Sequence, residues 1–208
     1  GNASSASGVV GWFAPMIEAG YGVVAAEYRG YSANPALPDE EGLAQDADAF
    51  MAYARGLAGG RPLWVVGHSL GGGVSMALAE RSPPDVLVTI GTFTRLRDMV
   101  SGLSRAVIPD AYRNLDRAES GTTPWFLIHG LADEVVPASQ GQTLHSIASR
   151  AGRIGASIVI EAEDHSPEGA TIFAILEAVR TRDSGQPPSP RGLPPGVHVI
   201  PFGQSQPL

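Results

Sequence analysis

Residues 63–81 read LWVVGHSLGGGVSMALAER. The apolar run LWVV breaks at Gly67 into a glycine-rich turn and resumes as an Ala- and Leu-rich stretch of helical character. Strand, tight turn and helix in that order give a G-x-S-x-G pattern its mechanical meaning. The turn from Gly67 through His68, Ser69 and Leu70 to Gly71 holds its central residue in a strained conformation, and the glycines leave room for the backbones on either side. Ser69 would then stand above the sheet at the positive end of the helix, with the Leu70 amide free to donate to an oxyanion. Ser69 is therefore a candidate nucleophile. The plain alternative is a glycine-rich turn with an ordinary serine.

Working outward, short apolar runs recur at residues 22–26 (GVVAA), 86–90 (VLVTI), 125–128 (WFLI) and 157–160 (SIVI). Apolarity without polar alternation is what a parallel strand covered on both faces requires. Helical spacing appears weakly over residues 7–18 and more clearly over 41–57, 70–81, 138–151 and 168–182. The alternation predicts an α/β domain, a doubly wound and mostly parallel sheet, over residues 1–182. Residues 183–208 are rich in Pro, Gly, Ser and Gln around a short apolar patch, and their composition predicts a flexible tail.

Composition excludes several kinds of chemistry. The 208 residues are 43% hydrophobic and 17% charged with a formal net charge of -7, which describes a globular chain and argues against a nucleic-acid surface. No apolar run reaches membrane-spanning length. All 14 basic residues are Arg, so no Lys is present to form a Schiff base, and the absence of Cys excludes thiol nucleophiles and thiolate metal sites. No His or carboxylate pair has metal-ligand spacing, so no metal is expected.

A serine nucleophile needs a base, and the base needs an orienting acid. The loop after WFLI reads HGLADEVVP and carries Asp133, and the loop after SIVI reads EAEDHSPEG and carries His165. Both follow the carboxyl end of a strand, where α/β proteins build their sites. The order nucleophile, acid, base is that of one known serine-hydrolase arrangement. Glu134 and Asp164 are the rival acids. The other histidines have simpler readings: His68 as the variable residue of the turn, His129 closing a strand, His145 on an amphipathic helix and His198 in the tail.

The chain resembles serine hydrolases of the α/β-hydrolase superfamily, and within it the single-domain α/β-hydrolase domain-containing group. The matching residues are GNA (1–3), YRGY (28–31), EEGLAQDADA (40–49), GHSLGGG (67–73), TFTRLRDM (92–99) and IHGLADEVVP (128–137), in order over residues 1–182. The resemblance implies a Ser69, Asp133 and His165 triad without cofactor, and an oxyanion hole formed by the amides of Leu70 and Asn2. It departs from the group around Asp164-His165-Ser166, where Gly commonly precedes the histidine. In that fold a strand leads into His-Gly-Asn-Ala and lies beside the elbow strand. Its absence predicts that this chain lacks its N-terminal strands and is a piece of a longer hydrolase, unless the tail segment GVHVIPF fills the slot.

Residues 91–122 are too few for a large lid, so an open site is expected. Tyr31 and Phe93 are candidates for its apolar wall, with core packing as the plainer reading. Arg95 and Arg97 could meet an anionic substrate, although isolated surface charges usually do nothing specific. The expected activity is cleavage of a small-molecule carboxylic ester or thioester through an acyl-enzyme on Ser69. A peptidase or amidase, and a non-catalytic scaffold or inactive fragment, are the alternatives. No nucleic acid or membrane segment is expected, and the sequence leaves the oligomeric state open.

Overall fold

Five strands, Trp64–His68 (β1), Val86–Ile90 (β2), Trp125–Gly130 (β3), Gly155–Ile160 (β4) and Val197–Pro201 (β5), form one sheet in the order β1-β2-β3-β4-β5. They come from a computed structural model that describes residues 11–31, 36, 38–99, 111–182 and 185–204. β1 to β4 run parallel, and β5 pairs antiparallel with β4. The helices are Ala14–Glu18 (α1), Glu40–Ala58 (α2), Leu70–Arg81 (α3), Asn114–Ser120 (α4), Ala138–Arg150 (α5) and Gly169–Arg180 (α6).

Side chains along a strand point alternately to opposite faces. Val86, Val88, Ile90, Phe126 and Ile128 pack on one face against Met16 of α1 and Ile172, Ile175 and Val179 of α6. Leu87, Trp125 and Leu127 pack on the other against Met76 of α3, Ala118 of α4 and Leu144 and Ala148 of α5. Both faces of β2 and β3 are covered, which is why those runs carry no polar alternation. This is the doubly wound, mostly parallel α/β sheet that the alternation predicts.

Glu40–Ala58 begins at an Asp39 cap whose Oδ1 accepts from the Gly42 amide at 2.6 Å, and it buries Leu43, Ala47 and Met51 against Val74 and Leu78 of α3. Arg29 of YRGY donates from Nη2 to Asp46 Oδ1 at 2.7 Å, and its backbone amide donates to Asp46 Oδ2 at 2.9 Å. These bonds hold the Asp46 carboxyl below its usual range and tie the two distant motifs together.

Three expectations are corrected. Residues 22–26 form no strand, and Val23 and Val24 are 36% and 38% exposed. A strand needs a neighbour for its amides and carbonyls, and among the described residues no strand pairs with the free edge of β1. The segment read as a flexible tail contains β5, whose Val197 and Ile200 are buried. β5 lies at the edge opposite β1, so it does not fill a slot beside the elbow strand. The short, polar α4 had no sequence signal. Among the described residues, no helix is long and apolar enough to cross a membrane.

Candidate active site

β1 ends at His68 and α3 begins at Leu70, so Ser69 alone makes the turn, with φ 54 and ψ -118. A positive φ is costly for a residue with a side chain, and such strain gathers at functional sites. The turn is held by the Ser69 amide, which donates to Ile90 O at 2.8 Å, and by the Gly72 amide, which donates to Ser69 O at 2.9 Å. Gly67 is required by close approach: a Cβ there would lie 2.3 Å from Gly71 O and from Ser75 Oγ. Leu70 is the first residue of α3, so its amide has no acceptor within the helix and stays available to an anion. Asn2, the other expected oxyanion donor, lies outside the described residues.

The loops after β3 and β4 bring Asp133 and His165 together. His165 Nδ1 donates to Asp133 Oδ2 at 2.8 Å, and the Asp133 side chain is fully buried. The other carboxylate oxygen, Oδ1, accepts from the Val135 amide at 2.9 Å and the Val136 amide at 2.7 Å. With Nδ1 carrying the proton, His165 Nε2 is left with a lone pair, as a general base requires. Glu134, one rival acid, is exposed, and Asp164 turns its Oδ1 to the Ser166 amide at 2.8 Å. Among the described residues no hydrogen bond joins Ser69 Oγ to His165, so the acid–base half is assembled and the nucleophile stands on the adjoining turn. Free enzymes often close that last bond only with substrate in place.

Three residues that the sequence reading did not place in the site lie against the pair. Gly91 follows β2 at φ 54, and a Cβ on it would lie 3.1 Å from both Asp133 Oδ2 and His165 Nδ1. His129 is buried, and burial pushes its pKa down. Its Nε2 donates to Val136 O at 2.8 Å and lies 3.5 Å from Asp133 Oδ2. His68 Nε2 donates to the carbonyl of His165 at 2.7 Å. Position carried the only signal for the two histidines: His68 adjoins the nucleophile, and His129 opens the HGLAD stretch.

Of the two residues expected to form an apolar wall, Phe93 lies in the core. Phe93 is 3% exposed and packs with Leu43, Val74 and Tyr112, so its ring serves the core rather than a substrate. Tyr31 is half-buried, edge-to-face with Tyr28 at 6.4 Å, and burial pushes the Tyr28 hydroxyl up to about 12. Arg95 is partly buried and its Nε has no hydrogen-bond partner. Among the described residues no group of three or more His, Asp or Glu is placed to hold a metal.

A parallel sheet with a strained serine turn, and an Asp–His pair on the loops of later strands, defines the α/β-hydrolase class. The family model for serine aminopeptidase, S33, matches residues 1–114, and the chain belongs to that family. An uncharacterised Mycobacterium tuberculosis protein is 32% identical over 169 residues, 77% of this chain and 59% of its own. The lysophosphatidylserine lipase ABHD12 of Macaca fascicularis is 30% identical over 155 residues, 64% of this chain and 39% of its own. This chain thus spans less than two thirds of either relative. A solved Thermus thermophilus structure superposes with a TM-score of 0.65 at 19% identity, covering 86% of each chain, a likeness of fold.

Proposed function

We propose that the protein is a serine hydrolase that cleaves a carboxylic ester through an acyl-enzyme on Ser69. The observation that carries this reading is the buried Asp133 carboxylate, which holds His165 Nδ1–H at 2.8 Å beside a turn that strains Ser69 to φ 54. His165 Nε2 takes the Ser69 proton as Oγ attacks the acyl carbonyl, and the same proton passes to the leaving alcohol. Water activated by His165 then releases the acid. The developing oxyanion is met by the Leu70 amide and, on the sequence resemblance, by that of Asn2. No cofactor enters these steps.

The ABHD12 relative is named for a lysophospholipid, so an acyl ester with an anionic headgroup is the first substrate to try. A thioester fits the same chemistry. The family's description as a serine aminopeptidase favours a second reading, cleavage of an amide. A fluorophosphonate probe should label the protein and fail to label Ser69→Ala. Turnover of a nitrophenyl ester against an aminoacyl anilide then separates esterase from peptidase. Cooperative melting without labelling or turnover would instead identify a binding scaffold.

A further inference from the structure

We propose that His68 is a positioning residue for the base, a role resting on the serine-hydrolase reading: it fastens the backbone of His165 to the turn that carries Ser69. A carbonyl oxygen only accepts, so the 2.7 Å contact from His68 Nε2 to His165 O fixes the His68 tautomer with its proton on Nε2. The two rings also touch, with centroids 4.6 Å apart and planes at 46°. On its other side His68 meets the Trp12 ring edge-on, centroids 5.4 Å apart and planes at 63°. Trp12 in turn donates its indole N–H to Pro167 O at 2.5 Å.

The loop that carries the base is thus held at two carbonyls, those of His165 and Pro167. One hold comes from the residue next to the nucleophile and the other from the Gly11–Phe13 turn. Asp133 fixes the imidazole from its Nδ1 edge, while His68 fixes the backbone from which that imidazole hangs. Together they leave the ring little freedom to turn. Burial pushes His68 down to about 4, which keeps it neutral beside a ring that becomes cationic during turnover. A side chain that merely filled space would need no bond to the base's own carbonyl.

The test compares His68→Phe, which keeps a ring and loses the donor, with His68→Gln, which keeps an N–H donor. Turnover is expressed per probe-titrated active site, with Tm measured alongside. The expected result for His68→Phe is a roughly tenfold to hundredfold fall in kcat per site with KM nearly unchanged, the scale set by small misplacements of catalytic groups. His68→Gln recovers most of the loss. Should His68→Phe unfold, Trp12→Phe removes the bond to Pro167 while keeping an aromatic ring at that position, and should lower kcat in the same direction. Wild-type kcat per site in His68→Phe overturns the proposal, as do equal losses in both His68 variants that track Tm. Labelling of wild type that persists in Ser69→Ala overturns the hydrolase reading instead.

Discussion

At Gly91 the main chain itself forms the floor under the acid–base pair. An added methyl would press on Asp133 Oδ2 and His165 Nδ1 at 3.1 Å, closer than most Cβ contacts, and would sit at φ 54. Neither neighbour can yield without lengthening the 2.8 Å bond between them. Gly91→Ala is therefore expected to lower kcat/KM at least about tenfold. Its folding cost is modest, about 1–2 kcal/mol for one left-handed residue with a side chain. Steady-state kinetics beside a thermal melt would check both numbers, and unchanged kinetics would mean that the floor is more forgiving than these distances imply. Nothing in the sequence marks Gly91, because its role comes from two loops that arrive from far along the chain. The Asp133–His165 pair could be read from the sequence because each residue follows a strand's carboxyl end, as Ser69, the proposed nucleophile, also does.

Among the elements, the elbow helix depends on how closely α3 approaches β1. Gly67→Ala places a methyl 2.3 Å from Gly71 O and Ser75 Oγ, so the helix must move, at a cost of about 1–3 kcal/mol. Chemical denaturation should show the loss, and Ser69-dependent labelling should fall with it. At the other end of the sheet, Phe202 rests on Trp125 and His145 at 5.6 and 5.5 Å. Phe202→Ala should destabilise the fold by about 2–3 kcal/mol, below the usual range for a fully buried Phe because the ring is half-buried. β2 was readable residue for residue because both of its faces are buried. β5 was not, since its buried residues Val197 and Ile200 are few and stand among Pro and Gly. Residues 22–26 misled in the opposite sense: their side chains suit a strand, but strandhood also requires a partner's backbone, which local composition does not report.

For the whole molecule, acid should be destabilising before the carboxylates titrate. His68, pushed down to about 4 by burial, binds fewer protons folded than unfolded over the window from about 6.5 to about 4, and His129 is shifted the same way. Among the described residues, Asp133 and His165 are the charged or titratable groups whose fields reach His68, and they act in opposite directions. Because the unfolded chain takes up more protons, stability falls as pH falls through that window, by at most about 3 kcal/mol from His68. Melting temperatures measured across it should decline toward the acid end, and His68→Gln should flatten part of the slope.

The antiparallel fifth strand has a practical consequence. It covers the edge of β4, whose Ala156, Ser157, Ile158, Val159 and Ile160 pair with residues 197–201. An uncovered edge in a sheet this apolar is a template for another chain, and Pro201 at the end of β5 offers no amide to extend the ladder. Shortening the protein after Arg182, where composition invites a cut, would therefore expose a self-pairing surface. The shortened protein should form light-scattering aggregates at concentrations where the full chain stays dispersed.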